Sequence, residues 1–187
     1  MAVRPIVVVG NPVLRSKARK VSRFDASIQK LIEDMIDTMR DAPGVGLAAP
    51  QIGVPLQVAV VETEKDQVHV LVNPEIIKRE SEWDPDEGCL SVPGYWATVR
   101  RAAHVWVKAR DARGKGIRLD GEGLFGQALQ HEIDHLNGML YLDRLDNLDD
   151  LRKTTPPRER PAPDDVTSAA SGGNAVAPVD EPAPARS

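Results

Sequence analysis

His131-Glu132-Ile133-Asp134-His135, followed after Leu136 by Asn137-Gly138, is the stretch on which the reading of this chain turns. Asn-Gly is a helix stop signal, so the segment reads as the last turns of a helix. Helical spacing puts residues i and i+4 on one face with Cβ atoms roughly 6 Å apart, so both imidazoles reach one metal ion. Glu132 leans toward the same ion without ligating it, where it can move a proton to or from water. A bare match to this pattern is often coincidence, and its setting is what carries the reading. Leu124, Ala128 and Leu136 fall near the histidine face, and Leu129 and Ile133 on the other side of the apolar stripe. The helix is therefore expected to be buried around most of its circumference. Two imidazoles and a carboxyl there cost several kcal/mol unless something pairs with them, and a metal does.

Working outward, Ile28, Leu31, Ile32, Met35, Ile36 and Met39 recur at helical spacing over Asp25 to Asp41, with Asp25 as N-cap and Pro43-Gly44 as terminator. Extended segments are expected at Ile6 to Val9, Leu56 to Val61, Val68 to Val72, Thr98 to Ala109 and Gly116 to Leu119. The last two flank a hairpin turn at Asp111-Ala112-Arg113-Gly114. Grouped strands with one helix early and one late indicate an α+β fold, with small antiparallel or mixed β-sheets packed around the central H-E-x-x-H helix. His69 and His104 sit in strand-like alternation and read as ordinary strand residues.

At 187 residues the chain can bury one proper core. A net charge of −4 gives no electrostatic case for nucleic-acid binding, and the basic run Arg15 to Lys20 reads as a solvated loop. No apolar run is long enough to span a bilayer, and the start lacks the pattern of a signal peptide. The single cysteine, Cys89, excludes an internal disulfide and suits a reducing cytosol, so a cytoplasmic location is expected. Two regions follow: a catalytic domain over residues 1–152 and a disordered tail rich in Pro and Ala over 153–187, which has no aromatic residue or apolar periodicity.

Cys89 lies in Glu87-Gly88-Cys89-Leu90-Ser91-Val92-Pro93-Gly94, whose glycines and proline are turn chemistry. With His131 and His135 it would make three ligands, leaving a fourth position open for water, as in catalytic metal centres. Three segments in order, Gly44 to Gln51 (GVGLAAPQ), Glu87 to Ser91 (EGCLS) and Gln130 to His135 (QHEIDH), resemble the three signature motifs of the peptide deformylase family. The resemblance runs over nearly all of positions 1 to about 147 and leaves the tail unmatched.

That resemblance implies removal of the N-formyl group from the initiator methionine of nascent proteins, releasing formate. It makes Cys89, His131 and His135 the ligands of one divalent ion, Fe2+ in the cell, with Zn2+, Ni2+ or Co2+ as substitutes. Glu132 becomes the general acid/base, Gln51 and the Leu90 N–H the oxyanion donors, and Gly46 a main-chain contact to substrate. Val45 and Leu124 would line a methionine pocket, and Glu87 would pair with Arg101 to position the cysteine loop. N-formylmethionyl nascent peptides are the implied partners, with a transient ribosome association. Some relatives dock there through a C-terminal helix, for which Asp146 to Lys153 leaves at most about two turns. Tyr95-Trp96 stands where many relatives carry a basic residue, and could form part of the groove rim or begin a strand. The competing readings are a zinc peptidase acting on internal bonds, which the cysteine ligand disfavours, and a non-catalytic metal-binding module, which needs neither Glu132 nor Gln51.

Overall fold

The periodic run after Asp25 forms helix α1 (Ala26–Asp41), burying Ile28, Leu31, Ile32, Met35 and Met39 on one face. Asp25 caps it by accepting hydrogen bonds from the N–H groups of Ser27 and Ile28. The computed structural model describes residues 2–154. Beyond α1 it contains strands β1 (Gly46–Ala48), β2 (Val58–Val61), β3 (His69–Trp83), β4 (Asp86–Cys89), β5 (Val92–Thr98), β6 (Arg101–Arg110) and β7 (Gly116–Glu122), then helix α2 (Gly123–Leu136) and strand β8 (Arg152–Lys153). The larger antiparallel sheet has the order β1-β2-β3-β6-β7 and the smaller β4-β5-β8. This is the α+β arrangement expected.

Helix α2, which carries the H-E-x-x-H segment, packs across β1, β2, β6 and β7. Every residue from Gly126 to Leu136 is buried. Ala128, Leu129, Ile133 and Leu136 share a core with Ala59, Val61, Leu71, Val105 and Val107. The helix comes so close to β7 that a Cβ on Gly126 would stand 2.6 Å from the Gly121 carbonyl oxygen. Two glutamines fix its position. The Gln130 amide exchanges hydrogen bonds with both main-chain groups of Ala102 (3.0 and 3.1 Å), and Gln127 Nε2 donates to the Asp86 carbonyl (2.9 Å), joining α2 to both sheets. The Asp111–Gly114 turn forms as expected, with Gly114 at φ +83° and its N–H bonded to the Asp111 carbonyl.

Three segments differ from the sequence reading. Ile6 to Val9 is not a strand. The Val7 and Val9 N–H groups donate to the carbonyls of Gln51 and Ser91, which lie on a 3-10 turn (Ala49–Ile52) and a loop, so no continuous ladder edge is offered to it. Strand β3 runs on past Asn73-Pro74 to Trp83, because the register against β6 shifts between Val72 and Glu75 and Pro74 sits where the ladder is broken anyway. The segment around Cys89 is a hairpin, β4–β5, where turn chemistry alone was expected. After α2 the chain makes 3-10 turns at Tyr141–Arg144 and Leu148–Asp150, not an α-helix, before β8 pairs with β5. The expected disordered tail lies, beyond Thr154, outside the described residues; Lys153 itself is paired to Tyr95. Among the described residues no helix is long and apolar enough to cross a membrane.

Candidate active site and metal centre

The second and third motifs meet where the end of β4 faces α2. One donor atom each from Cys89, His131 and His135 lie within 4.8 Å of one another. Cys89 Sγ is 3.2 Å from His135 Nε2, which is 3.2 Å from His131 Nε2. Two ring nitrogens this close in a buried site require a shared proton or cation between them. Burial lowers both imidazoles, but contacts with Cys89 and Glu87 hold His131 well above its usual value, while the charge on His131 pushes His135 well below. One positive charge is thus favoured between the two imidazoles. A soft sulfur with two imidazoles is a donor set for a borderline divalent ion, so the residues present fit the metal that the motifs imply.

His131 is held from behind. Its Nδ1–H donates to Glu87 Oε1, and Arg101 forks onto the same carboxylate, with Nε at 2.9 Å from Oε2. Arg101 Nη1 continues to Asp134 Oδ2 (2.6 Å), and Arg144 makes two further bonds to Asp134, each 2.6 Å. The expected Glu87–Arg101 pair is therefore present, and it is buried: the two side chains are 3% and 1% exposed. Burial alone would raise the Glu87 carboxyl, but the hydrogen bonds from His131 and Arg101 outweigh it and bring it down to about 2. Asp134 and Arg144 were not singled out from sequence, because their partners lie on other elements.

Glu132 is 3% exposed, and its Oε2 has no hydrogen-bond partner among the described residues. Burial raises its carboxyl to about 7, the range in which a group can both accept and return a proton near neutral pH. Gly46 makes room for it, since a Cβ there would stand 2.3 Å from Glu132 Oε1. The Gln51 amide is oriented by its neighbours. Oε1 accepts from the Ala48 N–H (2.8 Å), which turns Nε2 toward Ser91 Oγ (3.2 Å) and Cys89 Sγ (3.6 Å). Ser91, fully buried, also donates its N–H toward Cys89 Sγ (3.4 Å) and was missed in the sequence.

These groups open onto a groove of about 730 Å³. Val45, Gly46, Leu90 and Leu124 line it, as do Gln51, Cys89, His131 and Glu132. Val45 and Leu124 are 41% and 50% exposed, and β1 is an edge strand whose outer side borders the groove. Tyr95 lines the rim, while Trp96, the next residue of β5, lies under the Arg152 guanidinium at 4.9 Å. His69 and His104 stay apart from the cluster, in β3 and β6.

Comparison with known proteins gives a consistent result. The sequence model described as polypeptide deformylase matches residues 3–151. A peptide deformylase of Dehalococcoides mccartyi is 49% identical over 162 residues, 86% of this chain and 97% of that protein. The crystal structure of a peptide deformylase from Legionella pneumophila superposes with a TM-score of 0.77 at 52% identity, covering 79% of this chain and 88% of that one. A peptide deformylase from Synechococcus elongatus, solved in complex with actinonin, gives a TM-score of 0.76 at 40% identity, covering 79% of this chain and 81% of that one.

Proposed function

The chain belongs to the peptide deformylase family, and from that premise we propose that it hydrolyses the formyl amide at the N-terminal methionine of nascent chains in the cytoplasm. The single observation that carries the reading is the meeting of Cys89, His131 and His135 beside a buried Glu132 and an oriented Gln51 amide. Cys89, His131 and His135 would hold a divalent ion, ferrous in the cell, with Zn2+, Ni2+ or Co2+ able to replace it. Such an ion supplies Lewis acidity that makes water a nucleophile near neutral pH.

The rest of the chemistry falls to the chain. Glu132 accepts the proton of the attacking water and passes it to the departing methionine nitrogen. Its raised carboxyl and its position over Gly46 support both transfers. Gln51 Nε2 and the Leu90 N–H donate to the formyl oxygen as it gains negative charge, which is worth about 10²–10³ in kcat per donor. The outer edge of β1 at Gly46 receives the substrate main chain as an added strand. Val45 and Leu124 offer apolar surface to the methionine side chain. The Glu87–Arg101–Asp134–Arg144 chain keeps His131 oriented.

Formyl-Met-Ala, followed by release of free amine, tests the reading. We expect formate and Met-Ala. Cleavage of internal bonds with the formyl group left in place would instead point to a peptidase. Substituting Glu132→Ala is expected to lower turnover about 10²–10⁴-fold with metal retained; undiminished turnover would reject its role.

A further inference from the structure

The basic run Arg15 to Lys20, expected to be a solvated loop, has exposed cationic side chains on a main chain that is tied down from Ala18 onward. The Ala18 N–H donates to the Leu136 carbonyl (2.9 Å) and the Arg19 N–H to the Pro55 carbonyl (2.9 Å). The Arg19 carbonyl accepts from the Gln57 N–H (2.8 Å), and the Asn73 side-chain amide bonds both main-chain groups of Val21, each at 2.8 Å. Lys17 and Lys20 are thus presented from a fixed backbone, and with Arg79 of β3 they line a cavity of about 320 Å³. Helix α2 contributes Ile133 and Asn137 to it. At about 100° per residue these two project from the face of α2 opposite His131, so the cavity lies behind the metal-binding helix.

Cations at this place could serve only to offset the negative end of α2. The last carbonyls of that helix are already satisfied, however: Ile133 by Asn137 Nδ2 (2.9 Å), Asp134 by the Met139 N–H (3.0 Å), His135 by the Gly138 N–H (3.1 Å) and Leu136 by Ala18. Carboxylates do not claim the cations either. Among the described residues none lies within ion-pair distance of Lys17, Lys20 or Arg79, and the one acid on the lining, Glu75, is taken by Lys108 (2.9 Å). The buried polar group of the lining is Gln57, 7% exposed. Its main chain is spent on Arg19 and Asn73, but among the described residues its side-chain amide has no hydrogen-bond partner. Gln57 is not one of the fully enclosed orphan groups, so its amide meets solvent through this cavity. A spare amide donor ringed by three unpaired cations calls for an acceptor that carries negative charge.

We propose that Lys17, Lys20, Arg79 and the Gln57 amide form a binding site for a small phosphate-bearing anion, behind α2 and separate from the formyl-hydrolysing groove. Two ammonium groups, one guanidinium fork and one amide N–H match the several oxygens of a phosphate, and Pro74, Ile76 and Ile133 give an organic remainder an apolar wall. A net charge of −4 repels long polyanions, which favours a small ligand over RNA. The site goes beyond the deformylase reading and does not depend on it.

Titration calorimetry of the full-length, nickel-loaded protein with inorganic phosphate and with pyrophosphate tests the site. The expected Kd is about 0.1–1 mM for phosphate, tighter for pyrophosphate, and it weakens as salt rises. The triple variant K17Q/K20Q/R79Q should weaken both anions by about ten-fold or more. Q57L leaves the charge unchanged and should weaken them about five-fold, the mark of a directed contact and not of a diffuse field. Turnover of formyl-Met-Ala should be the same in all three proteins. Unchanged affinity in the triple variant or in a folded Q57L overturns the site, and phosphate bound at the metal instead would give that result. Absence of binding by about 10 mM overturns it equally. A single-stranded RNA that binds more tightly than pyrophosphate, and is released by the triple substitution, overturns the assignment to a small ligand.

Discussion

Tyr95 and Arg101 are six positions apart in the sequence, yet one is 39% exposed on the groove rim and the other 2% exposed behind the metal-binding residues. The deep region is made of charges removed from water and paired with one another, His131 to Glu87, Glu87 to Arg101 and Arg101 to Asp134, with the exposed Arg144 closing the chain on Asp134 from the surface. The rim is made of half-exposed apolar side chains, Val45, Leu124 and Tyr95. In a low-dielectric interior each missing partner leaves an uncompensated charge, whereas at a wet rim water replaces most of what is removed. The deep region should therefore tolerate almost no change, and the rim should be tunable.

Substituting Arg101→Met presses hardest on that contrast. It leaves Glu87 with His131 alone as a partner, and removal of one member of a buried pair costs about 3–5 kcal/mol. A calorimetric melt should fall by roughly 10 °C, with metal content reduced. An unchanged melting temperature with full metal would mean the buried network contributes nothing.

Gly46→Ala comes next, with its effect confined to catalysis. The new methyl would collide with the Glu132 carboxylate, a flexible side-chain end that can swing aside at small cost in stability. Displacing the acid/base by about 1 Å should lower kcat on the order of 100-fold while the melting temperature moves little. Normal turnover would show that Glu132 works from another position.

Leu124→Ser probes the rim and carries the smallest expected effect. Leu124 is already half exposed, so about 1 kcal/mol of apolar contact with methionine is at stake, or roughly a five-fold rise in KM. A loss as large as that at Gly46 would erase the distinction between rim and interior.

The same contrast explains what was legible in the sequence. Helix α1 and the H-E-x-x-H segment of α2 could be read because their apolar residues repeat at helical spacing and their caps are local. Cys89 could be proposed as the one cysteine, set in turn chemistry, but Gln51, Leu90 and Gly46 came from motif resemblance, since nothing in their spacing says that β4 and the Ala49–Ile52 turn approach α2. Asp134, Arg144 and Ser91 stayed hidden, as each acts through a partner distant in the chain. The continuation of β3 beyond the expected Val68 to Val72 was not legible because a bulge that absorbs Pro74 is set by the partner strand, not by the local sequence.

X-ray absorption at the metal edge, on protein purified without oxygen, addresses the central claim most directly. The site built by Cys89, His131 and His135 predicts a shell containing one sulfur and two imidazole nitrogens, at ~2.3 Å and ~2.0–2.1 Å when zinc is the metal loaded. A bound metal whose shell contains no sulfur would contradict it.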